Sequence, residues 1–273
     1  MSVSTTFNTE TDTMQPSREA MPDRAMNRVP KVTVDFWLIK LMAVTMGETA
    51  ADYLAVNLGF GLTATSLIMA AILIGALVLQ FGQKRYVPWS YWLTVVLISI
   101  VGTLITDNLV DNFGVSLITT TIGFSVALAA TFALWFASEK TLSIHAVFTT
   151  KREAYYWLAI LFTFALGTAA GDLVAEHFGL GYLSTGVLFG MIIASLAFGY
   201  FFLKLDPILG FWLAYILTRP LGASFGDLLS QPAEYGGIAL GTIITSAMFL
   251  GAITLIVAYM SVTRDGEEGV AAN

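Results

Sequence analysis

The chain has 273 residues, 56% of them hydrophobic and only 12% charged, with a formal net charge of −6. A soluble domain carries about 25% charged residues, so half of the usual solvating charge is missing, and the negative balance argues against a nucleic-acid partner. Cysteine is absent, which excludes disulfides and thiolate metal sites.

Residues 1–31 are rich in Ser, Thr, Pro, Asp and Arg and read as a disordered cytoplasmic tail. No apolar run precedes Val32, so no cleavable signal peptide is expected and the first helix serves as targeting signal. That helix, 33–56, carries Lys40, Glu48 and Asp52 inside an otherwise apolar stretch. After the turn "NLGFG" comes an uncharged run, 62–82. The alternation continues through 88–111, 115–137, 153–176, 181–203, 207–229 and 237–262. The stretches Gly61–Gly82, Gly114–Ser138, Phe178–Leu203 and Gly236–Thr263 are uncharged and longer than the ~18 residues expected of a spanning helix. The expected fold is an all-α membrane protein with eight transmembrane helices.

The helices form a repeat. Trp37, Trp92, Trp157 and Trp212 each sit between an aromatic residue and a leucine. Ten residues later stand Gly47, Gly102, Gly167 and Gly222, and five beyond these Asp52, Asp107, Asp172 and Asp227. Successive glycines are 55, 65 and 55 residues apart. Four two-helix repeats thus pair into two pseudo-symmetric halves, 32–137 and 153–263, joined by a cytoplasmic connection over 138–152 and followed by a cytoplasmic tail, 264–273. In this pattern the chain resembles a family of bacterial membrane proteins of unassigned function, built from four tandem two-helix repeats, each marked by a tryptophan. The resemblance implies the architecture and no activity.

Lys and Arg gather before helix 1, between helices 2 and 3, 4 and 5, 6 and 7, and after helix 8, where Arg264 stands. The turns after helices 1, 3, 5 and 7 have none. The positive-inside rule then predicts a multi-pass protein of the bacterial inner membrane with both termini cytoplasmic and all four repeats parallel. The tryptophans fall near the cytoplasmic interface, where the simplest reading is an aromatic belt anchor. The aspartates lie about 22 Å further along each helix.

At about 100° per residue, Trp, the position eleven later (Glu48, Thr103, Thr168, Ala223) and Asp share one helical face. Lipid exposure of one carboxylate costs about 2.5–3.5 kcal/mol. The charged helices are therefore expected to line the interior and the uncharged ones to face lipid. The repeat glycines read as close-packing positions between inner helices or as points where the helix loosens.

Seven carboxylates belong to the inner helices: Glu48, Asp52, Asp107, Asp111, Asp172, Glu176 and Asp227. Three pairs are spaced i, i+4, and like charges so held resist joint ionisation unless a cation joins them. Asp111 and Glu176 are near enough to the outer turn to be solvated. The repeat aspartates suit either hydrogen bonding between helices or a cation or proton pathway. Arg219 shares the inward face and is expected to be a counter-ion. Lys40 is expected to snorkel to the interface, and His177 reads as a surface histidine. Thr45, Thr49, Thr103, Thr106, Thr168 and Asn108 add oxygen donors, which with the acids suit a hard divalent metal.

No catalytic constellation appears, so no enzyme is expected, and no cofactor is implied beyond a transported cation. The partners expected are the lipid bilayer and a small cation. Membrane transport of that cation, with proton-coupled efflux as one form of it, is the leading expectation. A non-transporting assembly or sensing protein with structural acids is the second. A proton-coupled carrier of a small organic cation, using tryptophan for cation–π contact, is the third.

Overall fold

The computed structural model describes residues 27–271; the tail expected over 1–31 lies, up to residue 26, outside the described residues, as does the side chain of Arg264. Eight helices follow in order: α1 (Val34–Asp52), α2 (Leu62–Phe81), α3 (Pro88–Asp107), α4 (Leu117–Glu139), α5 (Thr150–Asp172), α6 (Tyr182–Phe202), α7 (Pro207–Ser230) and α8 (Thr242–Ala271). Their starts follow local chemistry. Thr33, Ser116, Thr149 and Asp206 accept hydrogen bonds from the first free backbone amides of α1, α4, α5 and α7. Pro88 and Pro207 open α3 and α7, where a missing amide hydrogen costs nothing.

Two starts differ from expectation. Thr149 caps α5 ahead of the residue 153 expected, which shortens the central connection. Residues 237–241, expected to begin the last helix, instead run back along the end of α7. There the Ile238 and Leu240 amides donate to the Leu228 and Leu229 carbonyls at 2.6 and 2.9 Å. At its other end α8 continues to Ala271, past the expected end at 262.

The inner and outer roles are as expected. α1 packs on α3 and α7, and α5 also packs on α3 and α7, so the four form a closed ring. Each outer helix lies on the inner helix of the following repeat: α2 on α3, α4 on α5, α6 on α7, and α8 back on α1. The last contact closes the cycle. Buried residues make up 67% of the α3 span and 56% of the α5 span, against 17–22% for α2, α4, α6 and α8. The outer helices thus present continuous apolar surface to the bilayer. Among the described residues seven helices are long and apolar enough to cross a membrane. The exception is α1, whose Lys40, Glu48 and Asp52 are shielded by its neighbours in the ring.

The repeat glycines are the crossing points of that ring. A Cβ on Gly47 would stand 1.8 Å from Ser99 Oγ, on Gly102 2.7 Å from Phe164 Cβ, on Gly167 2.2 Å from Arg219 Cγ, and on Gly222 2.5 Å from Val44 Cγ1. Each glycine receives the residue three before the glycine of the neighbouring inner helix. The close-packing reading of these glycines therefore holds at all four positions.

Candidate functional site

From the tryptophan end upward, the ring interior is first apolar, then positive, then acidic. Trp92, Trp157 and Trp212 are buried, together with Phe36, Tyr91 and Tyr156 from the positions before the tryptophans. The expectation of belt anchors is corrected for these three. Their indole N–H groups donate within the protein, to Tyr86 Oη at 3.1 Å, Glu153 Oε1 at 3.4 Å and the Leu142 carbonyl at 2.9 Å. Tyr91 and Tyr156 join hydroxyls at 2.5 Å. Trp135 of α4, which lies outside the repeat pattern, is also buried and stands 5.8 Å from Trp212. The result is an aromatic plug. Residues 27–28 are tied over it: Arg28 pairs with buried Glu153, and the Tyr86 amide donates to the Asn27 carbonyl at 2.9 Å.

Above the plug lies Lys40, at 0% exposure. The snorkelling expectation fails because Lys40 lies on the ring-facing side of α1, enclosed by Tyr215, Thr218 and Phe164, so the side chain has no route along a lipid-facing surface. Its ammonium donates to the Tyr215 carbonyl at 2.8 Å and to Thr218 Oγ1, and lies 4.0 Å from the Tyr215 ring centroid. Phe164 separates it from Arg219: the Lys40 Nζ is 5.8 Å and the Arg219 Cζ 5.4 Å from that ring centroid.

Arg219, also at 0% exposure, fills the next layer. Its Nη2 donates to Glu48 Oε2 at 2.8 Å, to Thr168 Oγ1 at 2.7 Å and to Thr103 Oγ1. Those three acceptors are the polar members of the position eleven after each tryptophan, and Ala223 leaves the fourth place open. The expected counter-ion role is met, and the acid it meets belongs to another repeat. Gly167 makes this possible, since the aliphatic stem of Arg219 lies where a side chain would otherwise be.

Beyond this layer the ring opens into a cavity of about 190 Å³. Its lining includes all seven expected carboxylates, Glu48, Asp52, Asp107, Asp111, Asp172, Glu176 and Asp227, with Gln231 and Tyr182. Asp52 accepts a long bond from Gln231 Nε2 at 3.4 Å and Glu176 one from Tyr182 Oη at 3.4 Å. Asp107, Asp172 and Asp227 make no side-chain hydrogen bond or ion pair among the described residues. Hydrogen bonding between helices therefore engages Asp52 and not Asp107, Asp172 or Asp227 among the described residues. Asp111 and Glu176 are exposed at the rim, in keeping with the solvated alternative.

The ends of three inner helices depart from α-helix just past the aspartates. Tyr53–Asn57, Asn108–Asn112 and Leu173–His177 each form a π-helical turn. The closing bonds, Leu58 N to Tyr53 O, Phe113 N to Asn108 O and Phe178 N to Leu173 O, span 2.9–3.0 Å. Such turns are rare and recur at functional sites. The wider turn keeps Asp111 and Glu176 over Asp107 and Asp172, so both members of those i, i+4 pairs reach the cavity. Repeat four has no such turn, and α7 remains α-helical to Ser230. Sequence periodicity missed these turns; the available signal is the glycine seven after the aspartate (Gly59, Gly114, Gly179), for which repeat four has Glu234. All three glycines have positive φ, 66–72°, which favours glycine there.

Other expected donors are engaged elsewhere. Thr45 and Thr49 bond to their own helix, and Thr49 also to Ser246; Thr106 donates to the Ala165 carbonyl, and Asn108 to Ser66 and the Leu104 carbonyl. His177 is exposed beside Phe178. No tryptophan lines the cavity. Among the described residues no three His, Asp or Glu side chains gather closely enough to hold a metal ion. The acids surround the cavity without converging on one point.

Fold and cavity together define a polytopic helical membrane protein, a closed ring of four inner helices sheathed by four outer ones. The chain belongs to the family described as Repeat of Unknown Function (DUF347), whose model matches residues 36–86, 90–141, 155–205 and 210–265, one match for each two-helix repeat. No curated protein and no solved structure matches it.

Proposed function

We propose that the protein is a membrane transporter of a hard divalent cation, taken into the acidic cavity with much of its water shell and exchanged against protons. The observation that carries this reading is the set of seven carboxylates lining one cavity of about 190 Å³, of which Asp107, Asp172 and Asp227 make no side-chain hydrogen bond or ion pair among the described residues. Intramembrane carboxylates that no helix partner neutralises mark ion or proton pathways. About 10–15 Å³ of such cavity space admits one water, so a cavity of about 190 Å³ has room for a cation together with several waters of its shell. Mg²⁺-like cations give up water reluctantly and are held through one or two carboxylates. That mode of binding does not need a tight three-acid cluster. Arg219 is the direct cationic partner of only one of the seven acids, which leaves protons or a bound cation to balance the others.

The Lys and Arg residues of the tryptophan end, including Lys84, Arg85, Lys140 and Lys151, support a cytoplasmic position for that end by the positive-inside rule. The cavity then faces the outside of a bacterial inner membrane. Inward passage is blocked by the Arg219 layer and the plug, so transport requires these layers to open.

The test is flux into proteoliposomes across Mg²⁺, Mn²⁺, Ca²⁺, Co²⁺ and Zn²⁺, with and without a pH gradient. Asp→Asn at 52, 107 or 172 should lower the flux at least tenfold while leaving a folded protein. If no cation moves through the wild type, or the Asn variants transport normally, the acids belong to a non-transporting membrane protein.

A further inference from the structure

We propose that the ring of Glu48, Thr103 and Thr168 is itself a cation site, that the Arg219 guanidinium is its tethered occupant, and that a cation descending from the cavity competes with Arg219 for Glu48. This rests on the transport reading for its purpose but not for its test.

The four inner helices place equivalent residues around one axis. Three places before the repeat glycines stand Val44, Ser99, Phe164 and Arg219; one place after them stand Glu48, Thr103, Thr168 and Ala223. Only the fourth repeat puts a long cationic side chain in the first set and an alanine in the second. The guanidinium crosses to the place that Ala223 leaves empty, completing a layer of three oxygen groups around one positive charge. Oxygen donors around a cation are what a hard ion also requires.

The occupant is held by one corner. All three bonds fall on Nη2, which has two hydrogens to offer. Nε and Nη1 are buried and have no hydrogen-bond partner among the described residues. Arginine–carboxylate pairs are frequently two-pronged forks; this one meets Glu48 through a single nitrogen. Glu48 also lines the cavity floor, so the same carboxylate faces both the tethered cation and any incoming one.

The test supplies the missing occupant from solution. Full-length Arg219→Ala protein, purified in detergent, is incubated with radiolabelled guanidinium at millimolar concentration, far below denaturing levels. One equivalent should bind saturably and raise Tm with concentration, as a ligand of the native state does. The wild type should take none above background, and Glu48→Gln in the Arg219→Ala background should weaken binding at least tenfold. Mg²⁺ or Mn²⁺ should displace the label. Arg219→Met, which keeps the stem packed on Gly167, serves if Arg219→Ala does not yield folded protein. Absence of binding in the folded variants, or binding indifferent to Glu48→Gln, overturns the proposal. Neither result depends on flux, so a wild type that moves no cation would sink the transport reading and leave this site standing.

Discussion

Alanine at the repeat glycines and at the lipid-side glycines should change stability in opposite directions. At Gly102 the added Cβ would lie 2.7 Å from Phe164 Cβ and 3.2 Å from the Ala165 amide nitrogen. Neither atom can be moved by rotating a side chain, so α3 and α5 must separate by several tenths of an ångström. At Gly47 the nearest obstacles are Ser99 Oγ at 1.8 Å and Ser99 Cβ at 2.4 Å. The hydroxyl can rotate away but the Cβ cannot. Overpacking of this kind costs about 1–3 kcal/mol, against which alanine returns up to ~1 kcal/mol of helix propensity. With a Cβ and a backbone nitrogen in the way the cost at Gly102 falls at the upper end, so the net loss is about 2 kcal/mol, a fall in Tm of roughly 4–8 °C for a chain of this size. Gly75 on α2 and Gly123 on α4 have nothing within 4 Å of an added Cβ, so Gly75→Ala and Gly123→Ala should leave Tm unchanged or raise it. The assay is a thermal melt in detergent read by size-exclusion chromatography, with all six single variants in parallel. If Gly102→Ala melts with the wild type, or Gly75→Ala falls as far as Gly102→Ala, the inner helices do not cross at the repeat glycines.

Glu48→Gln should destabilise by about 3–5 kcal/mol, because it strands a buried guanidinium; adding Arg219→Met should recover part of the loss, and a double variant no more stable than Glu48→Gln would refute the pairing. Lys40→Met removes a buried ammonium that has no carboxylate partner among the described residues. It should be neutral or stabilising by about 1–4 kcal/mol, and a clear fall in Tm would show that the bonds to Tyr215 and Thr218 outweigh the burial of charge. The absence of cysteine makes single-cysteine labelling direct. In intact cells an impermeant maleimide should reach a cysteine at Phe60 or Phe113 and miss one at Gln83 or Lys140, and the reverse pattern would invert the orientation.

Much of the architecture was legible in the sequence because it is written four times. The aromatic-Trp-Leu triplets, the glycines ten residues on and the aspartates five beyond fix eight helices. Each inner helix carries polar groups that lipid would penalise, so inner and outer roles follow from solvation alone. The shared face of Glu48, Thr103, Thr168 and the aspartates follows from helical phase, and so does the gathering of the seven acids. What periodicity could not give is where a side chain ends once neighbours surround it. Lys40 sits a few residues inside the interface and by sequence has a snorkelling route; only the packing of the inner helices, which surrounds it with Tyr215, Thr218 and Phe164, removes that route and buries it. The tryptophans carry no mark that separates a lipid anchor from a plug, and it is the packing around them that buries three of the four. Arg219 and Glu48 are 171 residues apart. Their meeting depends on a cyclic order of helices that brings α7 beside α1, and on Gly167 leaving room for the arginine stem. Local sequence thus determined which groups must avoid lipid, through the cost of burying charge, while only tertiary packing decided which of those groups touch.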